Sequence, residues 1–147
     1  MTKVLLASLI ILLAGPAPAQ VNPGGIKWGP APAALPKGSQ VAVLAGNPEK
    51  RGTFVLRARM PAGYAVPPHH HPRAEYVTVI SGQLTLGMGR TMRRPRMANL
   101  VAGGFMVTPA NMNHYVYTRT GTTIQVSGEG PFEVVYVNPA DDPRRRR

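Results

Sequence analysis

Three of the chain's four histidines stand side by side, in the stretch GYAVPPHHHPRAEYVTVISG that runs from Gly63 to Gly82. The same stretch carries Glu75, one of only six acidic residues. In an extended strand, residues two apart point to the same side. His69 and His71 therefore face together, and His70 faces away. Pro72 ends the strand, the chain turns, and Glu75 opens the next apolar run. It can return toward the pair. The fourth histidine, His114, follows TPANMN and opens another run. Three imidazoles and one carboxylate on two neighbouring segments can close around one divalent ion. Imidazole suits Zn, Cu, Fe and Ni, and the carboxylate keeps Mn and Fe open. The competing reading is an exposed His-x-His turn that binds nothing, so the flanking context decides.

That context is a series of short β-branched and aromatic runs: QVAVLA from Gln40, GTFVLRARM from Gly52, EYVTVI from Glu75, QLTLGM from Gln83, GFMVTP from Gly104, HYVYTR from His114, TTIQVSG from Thr122 and FEVVYVN from Phe132. Breakers such as AGNPEKRG, MPAGY, SG and GEGP separate them. With 16 Gly and 16 Pro there is little room for long helices. The spacing predicts an all-β sandwich or barrel. If Glu75 points inward, Val77 and Val79 share its face. If His114 does, Val116 and Thr118 follow it, and Tyr115 and Tyr117 face out. Met60, Phe105, Met106, Gln125 and Tyr136 are candidates for a cavity wall, with core packing as the alternative role. Tyr64 and Glu133 are candidate partners of the ligands.

Reading outward from the histidines gives Gly63-x5-His69-x-His71-x3-Glu75-x6-Gly82, and later Gly103-x5-Pro109-x-Asn111-x2-His114. At these positions the chain resembles the cupin family. The first stretch matches its first motif at every defined position. The second matches in part, with Asn111 where the family has Gly and Thr118 where it often has Asn. Asn tolerates the left-handed conformation that a Gly would take at such a turn. The resemblance implies a jelly-roll β-barrel over residues 40–138 and makes His69, His71, Glu75 and His114 the ligands of one divalent transition metal ion. It also implies a homodimer. The wider frame, IKWGPAP and GPFEVVYVNPADDPR, is similar to small exported bacterial single-domain cupins.

The first 19 residues read as a leader. Lys3 precedes an apolar run from Val4 to Ala14, and Ala17-Pro18-Ala19 has the small-x-small form that signal peptidase accepts. The run is too short to span a bilayer, so the mature chain has no transmembrane segment. No arginine pair precedes the run, which points to unfolded, Sec-type export to the periplasm or beyond. Without cysteine, no disulfide holds the fold outside the cell. Residues 20–39, rich in Pro and Gly, read as an extended arm with Trp28 as its anchor. Residues 139–147 form a basic tail. The chain has 17 Lys+Arg against 6 acids. The arginines gather in the loop GRTMRRPRM and the terminal RRRR, with no aromatic residues between them, so no specific nucleic-acid partner is expected.

Two functions fit. One is a mononuclear metal-dependent enzyme, dioxygenase-like, acting on a small organic molecule. The other is a non-catalytic cupin that binds metal or a small ligand as sensor or carrier. Four protein ligands leave an ion open positions for substrate. After export, the Irving–Williams order favours Zn or Cu, with Fe, Mn and Ni as alternatives.

Overall fold

Alternation dictates the architecture. Along Gly52–Met60, Phe54, Leu56, Ala58 and Met60 are buried, while Arg57 and Arg59 between them are not. Along Thr122–Gly130 the buried positions are again every second one, including Ile124 and Val126. One face of each strand is apolar and must be covered by a second layer. The computed structural model describes residues 20–93 and 98–145. The leader, Arg94, Arg96 and the last two arginines lie outside the described residues.

The strands in chain order are β1 (Gly29–Pro30), β2 (Gln40–Ala45), β3 (Gly52–Met60), β4 (Ala65–His70), β5 (Glu75–Ser81), β6 (Gln83–Met88), β7 (Ala98–Val101), β8 (Phe105–Thr108), β9 (His114–Thr118), β10 (Thr122–Gly130) and β11 (Val135–Tyr136). They form two antiparallel sheets. The first has the order β1-β2-β3-β10-β5-β8, the second β11-β4-β9-β6-β7. Among the described residues, helix is limited to single 3-10 turns at Pro23–Gly25, Pro139–Asp141 and Pro143–Arg145. This is a jelly roll, with the core between the sheets around Phe54, Val77, Val79, Leu84 and Val126. No helix among the described residues is long and apolar enough to cross a membrane.

The arm folds onto the barrel. Gly29–Pro30 pairs with Val41 and Gln40. Trp28 is half-buried, with the Arg59 guanidinium 4.5 Å over its ring. Further along, Ala34 and Leu35 pack against the core, and two tyrosine hydroxyls tie the arm down. Tyr136 donates to the Ala34 carbonyl at 2.7 Å and Tyr64 to the Pro36 carbonyl at 2.8 Å. Anchoring is thus shared between Trp28 outside and Leu35 inside. At the other end, Arg144 is not a free tail residue. Its guanidinium pairs with Asp142 at 2.8 Å and donates to the Val134 carbonyl at 3.1 Å.

Candidate metal centre

The local sequence brings the four candidate ligands to one end of the barrel from both sheets. His69 lies on β4 and is paired directly with His114 on β9 in the second sheet. Glu75 opens β5 in the first sheet, with Val77 and Val79 on its face. His71 sits between the sheets, just past the end of β4. Its carbonyl accepts the N–H of Asn111 at 2.8 Å. Asn111 has φ 61°, the left-handed conformation that its place in the second motif implies. One turn therefore fixes the backbone of another.

His69, His71 and His114 are 4%, 3% and 1% exposed, and one ring nitrogen from each lies within 4.8 Å of the others. Each ring is aimed by its Nδ1. His69 Nδ1 lies 2.7 Å from the Pro67 carbonyl, His71 Nδ1 2.7 Å from that of Glu133, and His114 Nδ1 3.0 Å from that of Met112. A carbonyl can only accept, so each Nδ1 carries the hydrogen and donates it. This leaves a bare lone pair on each Nε2, the arrangement a metal ligand requires. Phe132 stacks on the His71 ring, with centroids 4.3 Å apart and planes 21° from parallel.

Glu75 Oε2 is 3.4 Å from His114 Nε2 and 3.6 Å from His71 Nε2. Burial pushes the Glu75 carboxyl up, but its approach to His114 and the charges of the histidines outweigh this and hold it below the usual range. The geometry thus sets a carboxylate oxygen against two ring nitrogens, on rings whose Nδ1 hydrogens are committed to backbone carbonyls. Lone pair against lone pair is unfavourable unless a cation lies between. Burial, reinforced by the neighbouring His114 and His71, lowers His69 to about 3. Burial also lowers His71, although Glu75 and the Glu133 carbonyl act in the other direction. His71 Nε2 is buried without a hydrogen-bond partner. A divalent ion fits. Two ligand atoms about 2.1 Å from one ion at a tetrahedral angle stand about 3.4 Å apart.

The group opens onto a cavity of about 610 Å³ between the sheets. Its walls are apolar, among them Leu56, Met60, Val66, Val77, Leu86, Ile124 and Val126, and Leu35 of the arm closes part of it. Of the other cavity candidates, only Met60 lines it. Phe105 is 58% exposed on the outer face. Met106 packs half-buried against the core. Gln125 accepts from Arg57 Nε at 3.2 Å on the outer face of its sheet. Tyr136 is core, its ring 6.0 Å from that of His69. Glu133 does support a candidate ligand, His71, but through its backbone carbonyl. Tyr64 lines the cavity and binds the arm rather than a ligand. His70 is half-buried rather than open to solvent, and its Nδ1 is covered without a partner. Tyr115 does point away from the cavity but is only 1% exposed. Its hydroxyl accepts from the Arg93 N–H at 3.0 Å, beneath the loop that follows β6.

The family model for the cupin domain matches residues 56–136, more than half of the chain. The chain belongs to the cupin family. Its fold is similar to that of a polyketide cyclase, RemF, from Streptomyces resistomycificus, at 18% identity and a TM-score of 0.69, covering 84% of this chain and 88% of that one. It is also similar to a protein of Methylibium petroleiphilum described as a candidate acetylacetone dioxygenase, at 21% identity and a TM-score of 0.67, covering 90% of each. An RmlC-like cupin from Shewanella frigidimarina matches at 13% identity and a TM-score of 0.59, covering 77% of this chain and 91% of that one. No curated protein matches the sequence.

Proposed function

We propose that this cupin is an exported mononuclear metal-dependent enzyme, a dioxygenase-like oxidoreductase of small carbonyl compounds. The observation that carries the reading is the convergence of the Glu75 carboxylate and the Nε2 atoms of His71 and His114, 3.6 and 3.4 Å from it, beside an apolar cavity. His69, His71, His114 and Glu75 would hold the ion, which when bound supplies a Lewis acid and, for Fe, Mn or Cu, a redox centre. The carbonyls of Pro67, Glu133 and Met112 keep the three rings aimed. The Val and Leu walls exclude water and favour an apolar substrate body over a sugar. Two of the fold's relatives bear names that refer to acetylacetone and to polyketides, compounds with carbonyls in β-relation, and this suggests the substrate class.

Export by a Sec-type leader belongs to the same proposal, and with it a periplasmic or secreted location. The test is direct. Protein recovered outside the cytoplasm is sequenced from its N-terminus, analysed for metal and assayed for O₂ uptake with a panel of β-diketones. A start near Gln20, one ion per chain and substrate-dependent O₂ uptake support the proposal. One ion and tight β-diketone binding without turnover would favour the second reading, a carrier or sensor. That reading has its own support. Apart from the metal group, the only titratable side chains among the described cavity residues are Tyr64 and the rim residue Glu49.

A further inference from the structure

The polar groups on the cavity wall fall into separate sets. One is the histidine–glutamate group. Asn47 and Glu49 belong to the exposed turn between β2 and β3. The remaining set is Ser39 and Tyr64, both buried in an otherwise apolar surface. The backbone places this pair away from the metal group. Tyr64 precedes β4 and His69 lies five residues on, roughly 16 Å along an extended strand, less what the irregularity between Val66 and His69 takes up. The partner strand agrees. Thr118, which exchanges backbone hydrogen bonds with Gly63 and Tyr64, is at the opposite end of β9 from His114.

Counting hydrogens fixes what this pair can offer. The Pro36 carbonyl only accepts, so the Tyr64 hydroxyl donates to it, at 2.8 Å. That uses the tyrosine's one hydrogen. Ser39 Oγ, 2.9 Å from the same oxygen, must therefore donate to Tyr64. Neither hydroxyl has a hydrogen left. What remains on the wall is acceptor capacity, foremost the two lone pairs of Ser39 Oγ, since the Tyr64 oxygen already accepts from Ser39, in apolar surroundings where an unpaired polar group of a ligand is costly and a paired one is not.

The geometry points to Ser39 as a specificity-determining acceptor, which selects an elongated apolar ligand carrying a metal-binding carbonyl head and a hydroxyl or N–H donor at its far end. The arm supplies this residue, so ligand choice is written in the segment just before the barrel. The inference rests on the proposed metal-and-cavity reading and deepens it.

The experiment uses the full-length mature protein loaded with zinc and a homologous series of alkyl β-diketones. Each chain length is made in three forms, methyl-ended, hydroxyl-ended and methyl-ether-ended, and affinities are measured by calorimetry. At the chain length that fits, Ser39→Ala lowers the ratio of hydroxyl-ended to methyl-ended affinity about tenfold, with zinc content unchanged. Tyr64→Phe acts in the other direction. It releases the Ser39 hydrogen, so the ether-ended probe gains on the methyl-ended one. Should Ser39→Ala fail to fold, Ser39→Cys, a weak acceptor of similar shape, gives the same readout. If the hydroxyl-to-methyl ratio is equal in wild type and the Ser39 variant at every length, the inference is overturned and the cavity reading stands. If no probe binds the zinc-loaded wild type, the cavity reading falls, and the Ser39 role with it.

Discussion

Replacing a ligand should cost metal before it costs fold. His71→Ala or His114→Ala is expected to release most of the ion while the far-ultraviolet spectrum stays that of a β-protein, since the core strands do not depend on either ring. Full occupancy in the double variant would remove the site. Glu75→Gln keeps the shape but removes the anionic oxygen, and should lower the Mn-to-Cu affinity ratio, because Mn prefers hard oxygen ligands. An unchanged ratio would leave a three-histidine site. The metal-free protein should weaken as pH falls. His69 titrates at about 3 when folded and near 6.5 when unfolded. Between those values the unfolded chain binds a proton that the folded one lacks, so stability drops by up to about 1.4 kcal/mol per pH unit. The lowered His71 and Glu75 act with the same sign. Urea midpoints from pH 7 downward should show the slope, and His69→Gln should flatten it. The convergence of the candidate ligands and the Asn111 turn were legible in the sequence, because they follow from period two and motif spacing. The carbonyls that aim the rings were not. The Glu133 carbonyl reaches His71 across 62 residues of sequence, and every residue has a carbonyl.

Strands were legible where alternation is strong. β2, β3 and β6 coincide with their apolar runs, and β5, β9 and β10 differ from theirs only at the ends. The two edge strands of the second sheet were harder. FEVVYVN reads as one strand, yet only Val135–Tyr136 pair with β4, because propensity does not say where a ladder partner ends. β7 is a four-residue edge strand against β6, and its ANLV run is too short to signal a strand. Tyr115 shows the limit of facing arguments. It points outward as period two requires, yet it is covered, because its cross-strand partner is Gly87. A Cβ built at Gly87 would lie 2.2 Å from the tyrosine ring. Gly87→Ala must displace that ring and the Arg93 contact, and should cost about 1–3 kcal/mol by overpacking. A thermal midpoint unchanged from wild type would show that the ring is free to move. Since Tyr115 follows His114, a small loss of metal affinity should accompany the destabilisation.

At the scale of the molecule, no lysine or arginine among the described residues lines the cavity. Arg90 and Arg93 belong to the loop after β6, and Arg144 is held by Asp142 at the end opposite in sequence. Removing Arg144 to Arg147 should leave metal content unchanged and reduce retention on a heparin column. The retention that is lost should be salt-sensitive. Salt-independent retention in the truncated protein would show a polyanion site elsewhere. The whole molecule also inherits something from its ligand placement. Glu75 belongs to one sheet, and His69 and His114 to the other. An ion held by all of them would join the two layers where no covalent crosslink does. Binding at a hundredfold excess over Kd adds about 2.7 kcal/mol to the folded state. Copies lacking an ion would open more often at that end and be cut sooner by proteases. Metal supply would then be recorded as the lifetime of each molecule, a quantity that pulse-chase in metal-depleted and metal-replete medium can read.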